Sequence, residues 1–359
     1  MNYQQRFSIG DREICAGAPA VFIADIAANH DGDLGRAKDL IFWAREAGAD
    51  VAKFQHFMAD RIVSDVGFSD DSVGKVSHQA SWRKSVSEIY DQYHTRREWT
   101  DALVETCREA GIQFMTTPYD VEAVRMFREI VPAYKVGSGD ITFTGLLTEI
   151  ARQARPVLLA TGAATMAEVE EAVATCLVEN PALCLMQCNT NYTGSIENFR
   201  YVNLRVLETF ARRWPGMPLG FSDHTPGHSA VLGAVMLGAT VIEKHFTDDN
   251  SREGPDHGFA LNPVTWRAMV EAVREVESAR GDGVKRIEPN EQQTVVIQRR
   301  ALRAVDPIAA GTRLTEAHLE ALRPCPPDAV APNCLGRVLG RTVREAMPRG
   351  KELLWSNLD

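Results

Sequence analysis

The sequence predicts an α/β protein whose larger part is a (β/α)8 TIM barrel, followed by a small β-rich C-terminal domain. Three observations carry that prediction. Eight short apolar or β-branched runs precede residue 250. Helical patterns with capped ends separate them, and β-then-α units in series build parallel sheets that close as an eight-stranded barrel. Beyond residue 285 the pattern changes to short strands among prolines and glycines. An open doubly wound sheet is the alternative, but no GxGxxG or P-loop sequence follows any of the strands.

Taken in order, the first run is "VFIADIA" at 21–27, which ends on Asp25 and leads to Asn29 and His30. The following helix starts at Asp33, a capping residue. Leu34, Ala37, Ile41 and Ala44 recur at helical spacing, and Gly48 sits where a left-handed C-cap belongs. "ADVAKFQ" at 49–55 delivers Lys53 and Gln55. The connection from Phe57 to Tyr93 is too long for a plain barrel loop and reads as a lid over the mouth. "IQFMTT" (112–117) ends on Thr117, "AYKVGS" (133–138) carries Lys135 and Ser138 ahead of Asp140, and "PVLLAT" (156–161) ends on Thr161. The next helix opens with Thr165 and Glu168 as a capping box, and Val169, Ala172, Val173 and Cys176 form its apolar stripe. "LCLMQC" (183–188) precedes Asn189, Thr190, Asn191 and Tyr192; "PLGFSD" (218–223) precedes His224; "TVIEKH" (240–245) closes the set. The barrel is expected over 1–285, a linker over 286–297 and the small domain over 298–359. In that domain "IAAGTRL" (308–314) and "MPRGKEL" (347–353) share an apolar-x-x-Gly-x-x-Leu frame, which suggests internal pseudo-symmetry.

Composition excludes several classes of function. The formal charge is -9, from 39 basic and 48 acidic residues, and no dense Lys/Arg run appears, so no nucleic-acid surface is expected. Seven cysteines lack CxxC spacing, which argues against a disulfide framework or zinc knuckle and for a reducing, cytoplasmic setting. No apolar run reaches the about 18 residues of a membrane span, so no membrane partner is expected.

Barrel chemistry sits at the C-terminal ends of the strands, and here those ends are polar. Lys53 and Lys135, with hydroxyls from Thr117, Ser138 and Ser222, have the makings of a phosphate or carboxylate site. The bland alternative is that each lysine pairs with a nearby acid to cap the barrel. His224 and His245 end neighbouring strands about 5 Å apart. Two imidazoles so placed can chelate one divalent ion, with oxygens filling the other positions, which suits Mn2+ or Mg2+ better than a closed zinc site. "VIEKHFT" (241–247) reads as a strand end delivering Glu243, Lys244 and His245 together. His228 and His257, in loops with glycine and proline, read as solvent-exposed, and Cys188 as a packed thiol.

These motifs resemble the sialic acid (N-acetylneuraminate) synthase family, phosphoenolpyruvate-condensing enzymes with a C-terminal antifreeze-like (SAF) domain. "IADIAANHDGDLGRAKDLIFWAREAGADVAKFQHF", "YKVGSGD", "TGAATMAEVEEAV", "GFSDHTPG", "VIEKHFT" and "GPDH" follow in the family's order. The resemblance implies condensation of phosphoenolpyruvate with N-acetylmannosamine or a related aminosugar aldehyde, giving a nonulosonic acid and phosphate. By matching position it assigns Lys53, Thr117, Lys135, Ser138, Thr190 and Ser222 to phosphoenolpyruvate. It assigns Asp25, Gln55, Asp140, Tyr192, Asp256 and Arg323 to the sugar or bound water, and His224 and His245 to Mn2+. It also implies a domain-swapped homodimer in which Arg323 reaches the partner's site. The sequence departs from the family pattern at Asp25 and Asp140, where glutamates are usual, at Ala160 in place of serine, and in "CNTNYTGS". Those departures keep two other readings in play: a non-catalytic sugar-binding relative, and a metal-dependent pyruvate aldolase on the same barrel.

Overall fold

The computed structural model describes residues 2–69 and 84–359. The chain divides into two compact units, Met1–Gly281 and Asp282–Asp359. The first opens with a hairpin, β1 (Arg6–Ile9) and β2 (Arg12–Cys15), and continues into eight parallel strands. These are β3 (Val21–Asp25), β4 (Val51–His56), β5 (Gln113–Pro118), β6 (Tyr134–Val136), β7 (Val157–Ala160), β8 (Leu183–Cys188), β9 (Leu219–Asp223) and β10 (Ala239–His245). β10 pairs with β3, so the barrel closes. All eight lie at the runs the sequence offered.

Successive strand residues face opposite sides of a sheet, and here both sides are buried. Outward residues such as Phe22, Phe54, Tyr134, Leu159, Leu185, Phe221 and Ile242 pack beneath the helices. Inward residues Val21, Ile23, Val51, Met115, Leu158, Met186 and Val241 form a separate core, and Phe7, Ile9 and Ile14 of the hairpin join it. The hairpin, unforeseen from the sequence, therefore stoppers the N-terminal end of the barrel. Two residues farther along four of the strands the inward positions turn polar: Ile23 is followed by Asp25, Val51 by Lys53, Met115 by Thr117 and Val241 by Glu243.

The helix caps are those expected. Asp33 accepts from the Arg36 N–H, and Thr165 and Glu168 form a reciprocal capping box. Of the segment expected as a lid, residues 70–83 lie outside the described residues. Its described flanks form the helices Ala59–Ile62, Asp65–Ser69 and Val86–Tyr93, and the Phe57 ring packs 5.2 Å from Tyr90. No described helix is long and apolar enough to cross a membrane.

In the second unit the stretch expected as a linker holds a helix, Gln292–Gln298. Strands β11 (Ala301–Ala304) and β12 (Leu319–Leu322) pair antiparallel. The two matching heptapeptides meet across a bridge between Ile308 and Met347, whose N–H groups each donate to the other's carbonyl at 2.8 Å. Gly311 and Gly350 both take positive φ (80° and 75°), and Leu314 and Leu353 are both buried. The repeated frame is thus an internal two-fold around one small core.

Because Ile14 is wholly buried between hairpin and barrel, Ile14→Ala should destabilise the protein by about 2–4 kcal/mol. A lowered urea midpoint with unchanged slope is the expected reading.

Candidate active site

Below the mouth of the barrel the polar inward layer is built from two ion pairs. Lys53 Nζ lies 2.8 Å from Asp25 and donates to Thr117 Oγ1 at 3.1 Å. Lys135 Nζ lies 3.1 Å from Glu243, which also accepts from Ser222 Oγ at 3.0 Å. Gln55 Nε2 donates to Asp25 at 3.0 Å. Both lysines therefore pair with acids, as the bland reading of them held, and they do so at the same end of the barrel. An ammonium has three donors. Lys53 uses two on described partners and Lys135 one, so donors on both remain for a ligand. Burial alone would neutralise these groups. Instead it is outweighed: Lys53, then His245, pull the Asp25 carboxyl below its usual range, and Lys135, then Lys53, do the same for Glu243. Asp25 and Glu243 in turn raise Lys53 against its own burial.

Glu243 is the partner that strand-by-strand assignment of ligands overlooked. The signal was present in "VIEKHFT": strand alternation sends Glu243 and His245 inward and Lys244 outward. Lys244 is not in the mouth. It donates at 2.6 Å to both Asp223 and the Thr225 carbonyl, and Asp223 also accepts from the Thr225 N–H and hydroxyl. This buried clasp ties together the residues that immediately precede His224 and His245. The strand end thus delivers two ionisable groups to the site and uses the third to hold it.

Around the rim, Ser138 Oγ accepts the Gly162 N–H at 3.0 Å. A Cβ on Gly162 would stand 1.9 Å from Thr190 Oγ1, 2.9 Å from Ser138 Oγ and 3.1 Å from Cys188 Sγ. Glycine is required there so that three heteroatoms can converge. Cys188 is buried as expected, but it touches function-bearing neighbours: Thr190 Oγ1 at 3.6 Å and His224 Nδ1 at 3.9 Å. Burial pushes its thiol up, and His224 more than reverses this. Thr161 Oγ1 donates to the Met186 carbonyl and supports the strand end instead of facing a ligand.

The His224 and His245 rings lie 5.4 Å apart, and Tyr192 stands edge-on to both. His224 Nδ1 meets the Asn189 carbonyl at 3.0 Å, a contact that assigns the proton to Nδ1 and leaves a lone pair on Nε2. His245 Nδ1 is buried without a hydrogen bond, with an Asp256 oxygen 3.5 Å away, and its Nε2 lies 3.7 Å from Asp25. Burial pushes the Asp256 carboxyl up, but His245 brings it below the usual range. Among the described residues no cluster of three or more His, Cys, Asp or Glu is arranged around one point. An orphaned imidazole nitrogen, a second oriented imidazole and adjacent carboxylates fit a cation that takes two nitrogens and otherwise oxygens.

Two histidines depart from expectation. His257 is wholly buried, with Nδ1 2.7 Å from Thr247 Oγ1 and Nε2 2.9 Å from Asp31, because its loop folds back over the barrel rim. His228 is half-buried. Next to the ion pairs a cavity of about 160 Å3 opens between Gln55, Phe57, Tyr90, Tyr119, Tyr192, His245 and Asp256. Asp140 follows β6 in the short turn Ser138–Asp140 and is half-buried. Arg323 is an exposed residue of the second unit.

The profile of the NeuB family matches residues 40–285, and that of the SAF domain residues 299–359. The chain belongs to the NeuB family. It is 32% identical over 346 residues to the N,N'-diacetyllegionaminic acid synthase of Legionella pneumophila, covering 94% of each chain. It is 32% identical over 311 residues, 84% of each chain, to the N-acetylneuraminate-9-phosphate synthase of Mus musculus. The N-acetylneuraminic acid synthetase of Leptospira borgpetersenii, solved with citrate, aligns with a TM-score of 0.70 at 27% identity, over 82% of this chain and 96% of that one. As a NeuB-family member alongside such synthases, the protein is an enzyme, a carbon–carbon bond-forming transferase.

In this NeuB-family chain Asp140 stands apart from the other acids, because burial without a paired cation raises its carboxyl from 3.8 to about 6. Between those values the folded state binds more protons than the unfolded one, so stability falls as pH rises through the window. Asparagine carries no such penalty. Asp140→Asn should therefore raise the melting temperature at pH 7.5, by the equivalent of about 1–2 kcal/mol once partial exposure is allowed for, and the gain should vanish near pH 4. Melts at the two pH values check the sign.

Proposed function

We propose that this enzyme condenses phosphoenolpyruvate with the open-chain aldehyde of N-acetylmannosamine or a related acylated aminosugar, yielding a nonulosonic acid and phosphate. The observation that carries the reading is the stacking of layers at one end of the barrel. Two lysines with spare donors lie under a hydroxyl-lined rim, beside a paired imidazole and an aromatic cavity. Lys53 and Lys135 neutralise the donor's charge, and Thr117, Ser138, Thr190 and Ser222 supply hydroxyl contacts. Gln55, Asp25, Asp140, Tyr192 and Asp256 border the acceptor. His224 and His245 would hold a divalent ion, Mn2+ or Mg2+, which would supply Lewis acidity toward the aldehyde.

In the reaction the π pair of phosphoenolpyruvate forms the new bond from its methylene carbon to the aldehyde carbon, leaving an oxocarbenium centre at C2. The aldehyde oxygen gains a proton. Water adds at C2 and loses a proton, and the C2–O bond to phosphate breaks as the keto group forms. Asp25 and Glu243 stay ionised beneath this centre and favour its positive charge. Asp140, ionising at about 6, is suited to exchange a proton near neutral pH. We also place Arg323 in the site of a second copy, in a domain-swapped homodimer.

With Mn2+ present, phosphoenolpyruvate and a panel of N-acetylhexosamines and diacetamido hexoses should give phosphate and a keto acid detectable by mass spectrometry. Turnover of pyruvate in place of phosphoenolpyruvate would point to an aldolase instead, and binding of phosphoenolpyruvate with no product from any sugar would sink the reading. His245→Ala should weaken Mn2+ binding at least tenfold by electron paramagnetic resonance and abolish turnover, with an unchanged far-UV circular dichroism spectrum. Unaltered Mn2+ binding would remove His245 as a ligand.

A further inference from the structure

We infer that Tyr119 is a specificity-determining residue of this site, its phenol hydroxyl forming a hydrogen bond with an oxygen of the acceptor sugar. The inference rests on the acceptor reading above but is carried by separate observations. Tyr119 directly follows β5, two residues beyond Thr117, so strand alternation carries both side chains toward the mouth. Its backbone N–H donates to the His56 carbonyl at 3.1 Å, which continues the β4–β5 pairing and fixes the residue. The ring stands edge-on to Phe57, with centroids 5.8 Å apart, and forms one wall of the cavity that also contains Gln55, Tyr192, His245 and Asp256.

The hydroxyl itself has no hydrogen-bond partner among the described residues. Tyr119 is half-buried and its hydroxyl is not sealed off, so it is open to the cavity its ring lines. The phenol of Tyr134, fully buried outside the barrel, is by contrast used up within the protein: it donates to the Val124 carbonyl. Room for the Tyr119 oxygen is provided by Gly137, on which a Cβ would come within 3.3 Å of it. Gly137 has φ of -68° and ψ of 147°, which any residue adopts, so its missing side chain serves space and not backbone conformation. Burial, and then the neighbouring Asp140 carboxyl, push the phenol well above its usual range, so it remains a donor at any working pH. A neutral donor among aromatic faces suits an uncharged, oxygen-rich sugar. The anionic donor has its own charged seat on Lys53 and Lys135.

Tyr119→Phe removes one oxygen and keeps the ring. Its KM for the acceptor should rise about three- to tenfold, as expected for loss of one neutral hydrogen bond. The KM for phosphoenolpyruvate and the melting temperature should stay as in the wild type. Gly137→Ala, which leaves the hydroxyl but presses on it, should raise the acceptor KM in the same sense. With an acceptor analogue lacking the contacted oxygen, wild type and Tyr119→Phe should become equal. An unchanged acceptor KM in Tyr119→Phe, or a parallel rise in both KM values, overturns the inference while leaving the reaction standing. Failure of the wild type to turn over any aminosugar overturns the reaction, and the inference with it.

Discussion

Two ammonium groups and two carboxylates share the barrel interior just beneath its mouth, and what lies above them depends on their cancelling one another. Each is almost wholly withdrawn from water, where an isolated ion would cost several kcal/mol. The pairs are joined to each other as well, since Glu243 acts on Lys53 in addition to Lys135. Lys135 on β6 and Glu243 on β10 stand on opposite sides of the closed barrel, four strands apart. Their contact therefore spans the interior and fixes its width at this level. Thr117, Ser222 and Gln55 add hydrogen bonds to these groups, while lysine donors and one Glu243 oxygen stay unused among the described residues.

The histidine layer above is held from the other side of the sheet. Lys244 and Asp223 form their own buried pair between strand and helix layers, and each is one residue before an imidazole. Alternation thus lets one heptapeptide contribute to two ionic systems, one in the reaction chamber and one bracing it. Removing either Lys244 or Asp223 would strand a charge in a dry setting, which typically costs about 3–5 kcal/mol. The brace is thereby confined to its pair.

Much of this was legible in the sequence because it follows from local pattern. The strand runs, the caps at Asp33 and Thr165, the inward lysines and the facing histidines need only periodicity and the rule that barrel loops converge. Asp25 and Lys53 are also register neighbours across β3 and β4. The pairing of Lys135 with Glu243 was not legible, because it joins positions over a hundred residues apart and on non-adjacent strands. His257 misled for a related reason: glycine and proline mark its loop, but Asp31 and Thr247 take both ring nitrogens as that loop folds back. The hairpin escaped notice because strands of four residues, with Arg6, Ser8 and Glu13 on the outward face and Arg12 interrupting the apolar one, leave too short a pattern. In the second unit the repeated heptapeptides became meaningful once Ile308 and Met347 were seen to pair.

The hairpin's stopper has a kinetic consequence. With Phe7, Ile9 and Ile14 sealing the far end, the cylinder is a blind well that, among the described residues, opens at its mouth. The charged seat lies at the bottom of that well and the tyrosine-walled chamber nearer its lip. A molecule parked in the upper chamber bars the way to the seat below. For the reaction proposed above, this geometry would favour seating the anion before the sugar.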